Sequence, residues 1–214
     1  MNYSTSIPYM LEGTLKAIEL FALTMVFSLP LGLLVARLRL SKSPFVHLPV
    51  RLYLLIMRGT PLMLQLFFFL FFPPLVLGIP VDRFSVAVFS FSINYAAYYA
   101  EIFRGGIESI SVGQQEAAAV LGFSSLQTFF RITLPQVIKR ILPSCANESM
   151  TLVKDTALAS VIGIAELFRN AKNMVAAYNM IRFFAIAGLI YLIMNSVVAF
   201  AFSRAEKKLN YYKD

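Results

Sequence analysis

The chain has 214 residues, 58% of them hydrophobic and only 14% charged, with a mean hydropathy of +0.71 and a formal net charge of +8. A soluble domain carries roughly 25% charged residues, so this composition excludes a water-soluble fold and points to an integral membrane protein. The basic residues stand between or beside apolar runs, which fits membrane topology and argues against a nucleic-acid partner.

A helix needs about 20 apolar residues to cross a bilayer core. The first such run is Leu20 to Ala36, approached by an amphipathic stretch from Leu11 to Glu19. Pro73-Pro74 is placed to end the second span. Counting back from Phe72 at about 1.5 Å per residue, a full crossing begins near Pro49 to Leu52, which puts Arg58-Gly59-Thr60-Pro61 inside the membrane. Phe84 to Ile102 is the third span. Pro143 to Phe168 is long enough to be the fourth, though unusually polar, and Phe183 to Phe202 is the fifth.

The chain is therefore expected to be an all-α membrane protein with five transmembrane helices. Arg37, Arg39, Lys42 and Arg51 lie between spans one and two, and Arg204, Lys207, Lys208 and Lys213 follow span five. The turn after Pro73-Pro74 holds only Arg83 against Asp82. The positive-inside rule then sets the N-terminus outside and the C-terminus in the cytoplasm, with Arg169, Lys172 and Arg182 as outer-side exceptions. Residues 1–214 read as a single transmembrane domain without internal repeats, and the N-terminus lacks the pattern of a cleaved signal peptide. The one cysteine, Cys145, excludes an internal disulfide and reads as a small buried residue.

Between spans three and four the chain changes character. Ser111-Val112-Gly113-Gln114 fits a capping box, good helix formers run to Leu121, and Gly122 is placed to end that helix in a left-handed cap. Ser124 or Ser125 can cap a second short helix, Leu126 to Thr133, which Pro135 follows. Phe123, Leu126, Phe129 and Phe130 give this second helix an apolar side, suited to a groove on a partner or to the membrane interface. Glu116 either forms an ion pair with Arg131 or Lys139 or meets a partner directly.

Polar groups also fall at mid-depth, where they are costly unless they face a cavity or another helix. Asn94 lies eleven residues past Arg83, roughly 16 Å at the helical rise, with Tyr98 one turn further on the same face. Gly59-Thr60-Pro61 interrupts the second span, where a proline frees backbone groups for a ligand. Asp155-Thr156 lies twelve residues past Pro143, about 18 Å in. The expected fourth helix also bears Glu148, Lys154 and Glu166, too many ionisable groups for a lipid-facing helix. Gly59, Thr60, Asn94, Tyr98, Asp155 and Thr156 are thus the candidate substrate site, with N–H groups near Gly59 and Thr60 for a carboxylate and Asp155 for an ammonium. The bland alternatives are ion pairing of Asp155 with Arg58 or Lys154, interhelical bonding by Asn94 and a simple proline kink. No Cys, His or carboxylate set has metal-ligand spacing, and His47 beside Pro49 reads as an interface residue.

The spacing Glu116-Ala117-Ala118, then Gly122, Ile132 and Leu134-Pro135, resembles the loop by which membrane subunits of bacterial ABC importers dock on their ATPase. Arg58-Gly59-Thr60-Pro61-Leu62 with Gln65, Ala100-Glu101-Ile102-Phe103-Arg104-Gly105-Gly106-Ile107 and Lys154-Asp155-Thr156-Ala157-Leu158-Ala159-Ser160 are similar to the polar amino acid branch of these permeases. The resemblance runs from about Leu11 to the tail. Ser111-Val112-Gly113 departs from it by lacking a proline. It implies a type I importer permease in the bacterial inner membrane, with Glu116, Ala117, Ala118, Gly122, Leu134 and Pro135 in the coupling helix. The implied partners are an ATPase dimer, a second permease copy or paralogue, an extracytoplasmic amino acid binding protein and membrane lipid. The implied cargo is an amino acid such as glutamine, histidine, arginine or cystine, and Lys154 to Ser160 followed by Ala165-Glu166-Leu167-Phe168-Arg169 is similar to cystine-type members. No phosphate-cradling G-x-x-x-x-G-K-[ST] sequence occurs, so ATP would be bound by the partner subunit and this chain needs no cofactor of its own. The resemblance implies alternating access: ATP binding closes the ATPase dimer, moves the Glu116 loop and turns the site outward. An ion-coupled secondary amino acid transporter is the second reading, separated from the first by whether a nucleotide-binding subunit co-purifies. An enzyme lacks a nucleophile–base pair, and a scaffold leaves the mid-depth polar groups unexplained.

Overall fold

The structure is a computed structural model that describes residues 3–209, with side chains described from residue 7; Lys213 lies outside this range. Every regular element in it is helical. Helix α1 runs from Tyr3 to Arg39 and contains the first expected span. It lies along α4 (Arg83–Glu108), and these two helices share the most extensive interface of the fold. Small residues allow that closeness: Ala17, Ala36, Ala96, Ala97 and Ala100 are all buried. At Gly32 a Cβ would stand 2.9 Å from the Cβ of Tyr99 and 3.1 Å from the Ala96 carbonyl.

Helix α2 (Pro44–Gly59) and helix α3 (Leu62–Val76) meet at a bend of 109°. The straight second crossing expected from the sequence is therefore a corner. The cause is local: Thr60 precedes a proline, which disfavours helical backbone, and it is extended at φ −120°, ψ 146°. Helix α3 also continues through Pro73-Pro74, which keep helical φ and lose only donors. It ends instead at left-handed Gly78, where the N–H groups of Leu77 and Ile79 both bond the Pro73 carbonyl. Asp82 caps α4 by accepting the Ser85 N–H at 2.8 Å and hydroxyl at 3.0 Å, and these bonds hold its carboxyl below the usual range.

Helix α5 (Val112–Val120) starts at Ser111 and closes on Gly122, whose φ is +80°. The Phe123 N–H reaches the Ala118 carbonyl and the Gly122 N–H that of Ala119, both at 3.0 Å, a Schellman turn. Helix α6 (Ser125–Thr128) has a complete capping box between Ser124 and Gln127. The chain then departs from expectation. A π-helical turn, Phe129–Thr133, leads directly into α7 (Leu134–Asp155), so Pro135 sits in the first turn of a continuing helix rather than after one. The Leu134 N–H bonds the Phe129 carbonyl five residues back, and proline is tolerated where helix N–H groups need no partner.

The fourth expected span is shorter than predicted. Helix α7 stops at Asp155, a 3-10 turn covers Thr156–Ile162, and Gly163 turns left-handed at φ +92°. Glu166 is not on that helix. It is the N-cap of α8 (Leu167–Tyr178), fully buried, and accepts N–H bonds from Phe168 and Arg169 and the Tyr191 hydroxyl of α9 (Arg182–Leu209). One core cluster joins Leu20, Leu66, Phe91, Tyr95, Tyr99 and Leu152; a second joins the start of α1 to α8 and α9 through Met10, Leu167, Met174 and Phe183.

The outer face of α9 is apolar. Leu189, Leu192, Ile193, Val197 and Phe200 on α9 are each more than half exposed. Among the described residues, Ile7–Arg39 and Arg182–Leu209 are long and apolar enough to cross a membrane unaided, and the bent α2–α3 pair makes a third if it counts as one span.

Candidate functional site

The corner between α2 and α3 opens onto α4 and α7, leaving a cleft of about 500 Å³. Its charged lining consists of Arg58 from α2 with Glu148 and Asp155 from α7. Gly59, Thr60, Pro61, Asn94, Tyr95 and Tyr98 complete most of the wall. Five of the six candidate substrate residues therefore come together here. Thr156 does not: it is fully buried, and its hydroxyl donates to the Val153 carbonyl at 2.8 Å. One residue past Asp155 is about 100° further round the helix, which turns Thr156 into the core.

The corner is held by side-chain amides. The Asn94 amide donates to the Met57 carbonyl at 2.8 Å and to Gln65 Oε1 at 3.0 Å. Gln65 Nε2 in turn donates to Thr60 Oγ1 at 2.8 Å and lies within bonding distance of the Met57 and Thr60 carbonyls. The Thr60 N–H and hydroxyl both bond the Ile56 carbonyl. Thr60 therefore has no free N–H for a carboxylate, contrary to the sequence expectation. Asn94 acts on the bent backbone rather than pointing at open space.

The charges are arranged differently. Arg58 is half-exposed, stacks over Tyr98 at 5.4 Å from the ring centre, and lies 3.8 Å from Glu101. Glu101 also faces Arg39 and is bonded to Arg104 at 2.7 Å, so it is shared among three guanidinium groups. Asp155 pairs with neither Arg58 nor Lys154; its Oδ2 accepts the Tyr95 hydroxyl at 2.7 Å. Glu148, half-buried on the same face of α7, takes no hydrogen bond or ion pair among the described residues. It lines the cleft two turns before Asp155, a spacing that helical periodicity makes readable.

The loop residues form a second surface. Glu116, Ala117 and Gly122 are exposed, whereas Ala118 is buried beneath α5. Leu126 and Phe130 point outward, at 72% and 60% exposure, and Val120 and Leu121 join them. Phe123 and Phe129 turn inward instead, lining a small cavity with Ile107 and Ala119. Leu134 and Pro135 are half-buried on the way into α7. The loop is fastened to the body by Gln136, which donates to Gln114, and by Arg140, which donates to the Ser109 carbonyl and hydroxyl.

A helical membrane body with a polar cleft and a capped, apolar-faced loop is the build of a transport subunit driven from outside itself. Residues 28–211 match the family of binding-protein-dependent transport system inner membrane components, and the chain belongs to that family. It is 38% identical over 205 residues to the arginine transport system permease ArtQ of Bacillus subtilis strain 168, covering 95% of this chain and 93% of that protein. It is 33% identical over 210 residues to a putative glutamine transport system permease, GlnP, of Rickettsia felis, covering 98% and 96%. Among solved structures, an amino acid ABC transporter crystallised with histidines superposes with a TM-score of 0.85 at 30% identity, covering 94% of each chain. The chain is the permease subunit of an amino acid ABC importer in the inner membrane, and the ATPase is a separate subunit. The ion-coupled carrier falls with that membership.

Proposed function

We propose that this permease crosses the membrane with an outer N-terminus and a cytoplasmic C-terminus, and holds the head group of an amino acid between Arg58 and Glu148. An α-amino acid presents a carboxylate and an ammonium side by side, and the cleft offers one guanidinium and one unpaired carboxylate to match them. Its volume suits a ligand of this size. The observation that carries the reading is Glu148, a half-buried carboxylate with no hydrogen bond or ion pair among the described residues. Gly59, Tyr98 and Asp155 complete the site, while Asn94 and Thr60 support its wall.

An extracytoplasmic binding protein delivers the amino acid, and lipid covers the apolar face of α9. The ATPase dimer engages the loop through Val120, Leu121, Leu126 and Phe130, with Glu116, Ala117, Ala118 and Gly122 fixing the shape of α5. Closure of the dimer moves α7, which bears both Glu148 and Asp155. Titration calorimetry of the purified permease–ATPase complex with L-arginine and L-glutamine tests the head-group site. Arg58→Ala and Glu148→Gln are each expected to weaken both ligands at least roughly tenfold, the scale of one lost charge-assisted bond. Unchanged affinities in both variants would remove the site.

A further inference from the structure

A guanidinium that binds a carboxylate in low dielectric needs another anion whenever the cleft is empty. Arg58 has one. Its Nη1 lies 3.8 Å from Glu101 Oε2, near enough to share charge but too far for a hydrogen bond. Glu101 is not part of the cleft lining, whereas Tyr98 is. The two stand three residues apart on one face of α4, so Glu101 lies about 4.5 Å further along the axis. In the orientation proposed above, that is towards the cytoplasm.

The two ends of this contact are held unequally. Glu101 accepts hydrogen bonds from Arg104 Nη2 at 2.7 Å and from Nε at 3.2 Å, so it keeps its place whether or not Arg58 stays. Arg39 lies 4.0 Å from it and adds positive charge. The Arg58 side chain is 43% exposed and takes no hydrogen bond among the described residues. It rests on the Tyr98 ring, 5.4 Å from the ring centre, and stacking leaves its N–H groups free. Tyr98 thus bridges the two places at which Arg58 finds an anion.

Resting on the head-group site proposed above, we infer that Glu101 is a positioning residue that competes with the amino acid for Arg58. In the empty permease Arg58 stays against Glu101. An arriving carboxylate, which can accept two N–H bonds, draws it into the cleft. Return to Glu101 then loosens the hold on the cargo. The 3.8 Å geometry suits that exchange, because a tight bidentate pair would not yield to a ligand. Binding and release become a transfer of one guanidinium between two carboxylates, with no bare charge left at either stage.

L-Arginine and agmatine differ only by the α-carboxylate, as do L-glutamine and 4-aminobutanamide, so each pair's affinity ratio reports what Arg58 contributes. Calorimetry on the purified permease–ATPase complex in lipid nanodiscs should give wild-type ratios of at least roughly tenfold. Glu101→Gln removes the rival but not the ligand. Both ratios should then rise by a further factor of roughly ten, and the amino acids should dissociate more slowly by the same factor. Glu101→Asp, which keeps the charge but withdraws it by one methylene, should give a smaller rise. A residue that merely braced Arg58 would do the opposite. A ratio that falls or stays level in Glu101→Gln would overturn the competition and leave the head-group site standing. Wild-type ratios near unity, or no binding by any of the four compounds, would overturn both. Cryo-EM of the wild-type complex needs no variant: bound L-arginine should have drawn Arg58 off Glu101, and agmatine should leave it there. Arg58 still against Glu101 beneath a bound carboxylate would also overturn the competition.

Discussion

Asn94 distinguishes a ligand-binding residue from one that holds the wall. It is 4% exposed, and its amide reaches Met57 on one side of the α2–α3 corner and Gln65 on the other. Asn94→Ala removes both bonds and leaves Gln65 Oε1 without its donor. Membrane hydrogen bonds measured by double-mutant cycles average about 0.6 kcal/mol each, which sets a floor of about 1 kcal/mol for the two. An orphaned buried acceptor costs about 1–3 kcal/mol, which sets the upper end. The expected loss of stability is thus about 2 kcal/mol. Gln65→Ala should be comparably destabilising, and the double variant should lose less than the sum by about 1 kcal/mol, since the two share one bond. Reversible unfolding of the purified protein in mixed micelles measures all three. Amino acid affinity should fall only modestly, because Arg58 and Glu148 remain. The reasoning is refuted if Asn94→Ala unfolds like the parent while binding is abolished, for Asn94 would then be a direct ligand.

Other expectations follow from single contacts. Gly122→Pro cannot adopt φ +80° and also loses the bond to Ala119, so ATP-driven uptake in proteoliposomes should stop while amino acid binding in nanodiscs persists. Leu126→Asp places a charge on a 72% exposed apolar contact, and pull-down of the ATPase should weaken roughly tenfold without loss of permease stability. Gly32→Val drives a side chain into Tyr99 and the Ala96 backbone, so unfolding should be easier by about 1–3 kcal/mol. Glu166→Ala strands the N–H groups of Phe168 and Arg169 and the Tyr191 hydroxyl, and a loss of about 3 kcal/mol or more is expected, whereas Tyr191→Phe should cost about 1 kcal/mol.

Local chemistry was readable where short-range rules decide the outcome. Ser111, Ser124 and Gly122 act as helix punctuation because a hydroxyl acceptor and a positive φ are properties of the residue itself. The cleft was readable in part, since polar groups at mid-depth must face something other than lipid. Direction was not. Thr60-Pro61 announces a break, but its angle of 109° depends on how α3 packs against α4. Glu166 reads as a helical residue because a carboxylate before Leu-Phe-Arg fits either a helix interior or a cap, and Gly163 three residues earlier was the signal that separates them. Thr156 follows Asp155 in sequence but not into the cleft, because adjacent helical residues look in different directions.

The π-helical turn at Phe129–Thr133 also governs phase. An α-helix fixes the angular relation between any two of its residues, so a surface at Leu126 and one at Glu148 would be tied together rigidly. One additional residue in the turn shifts that relation by about 100° while the rod stays unbroken. On the proposed function, the end assigned to the motor and the end assigned to the cargo can thus each face its own target. Rewinding 129–133 as regular α-helix with every residue kept would swing the two ends about a quarter-turn from their present aim, severing push from grip without removing either.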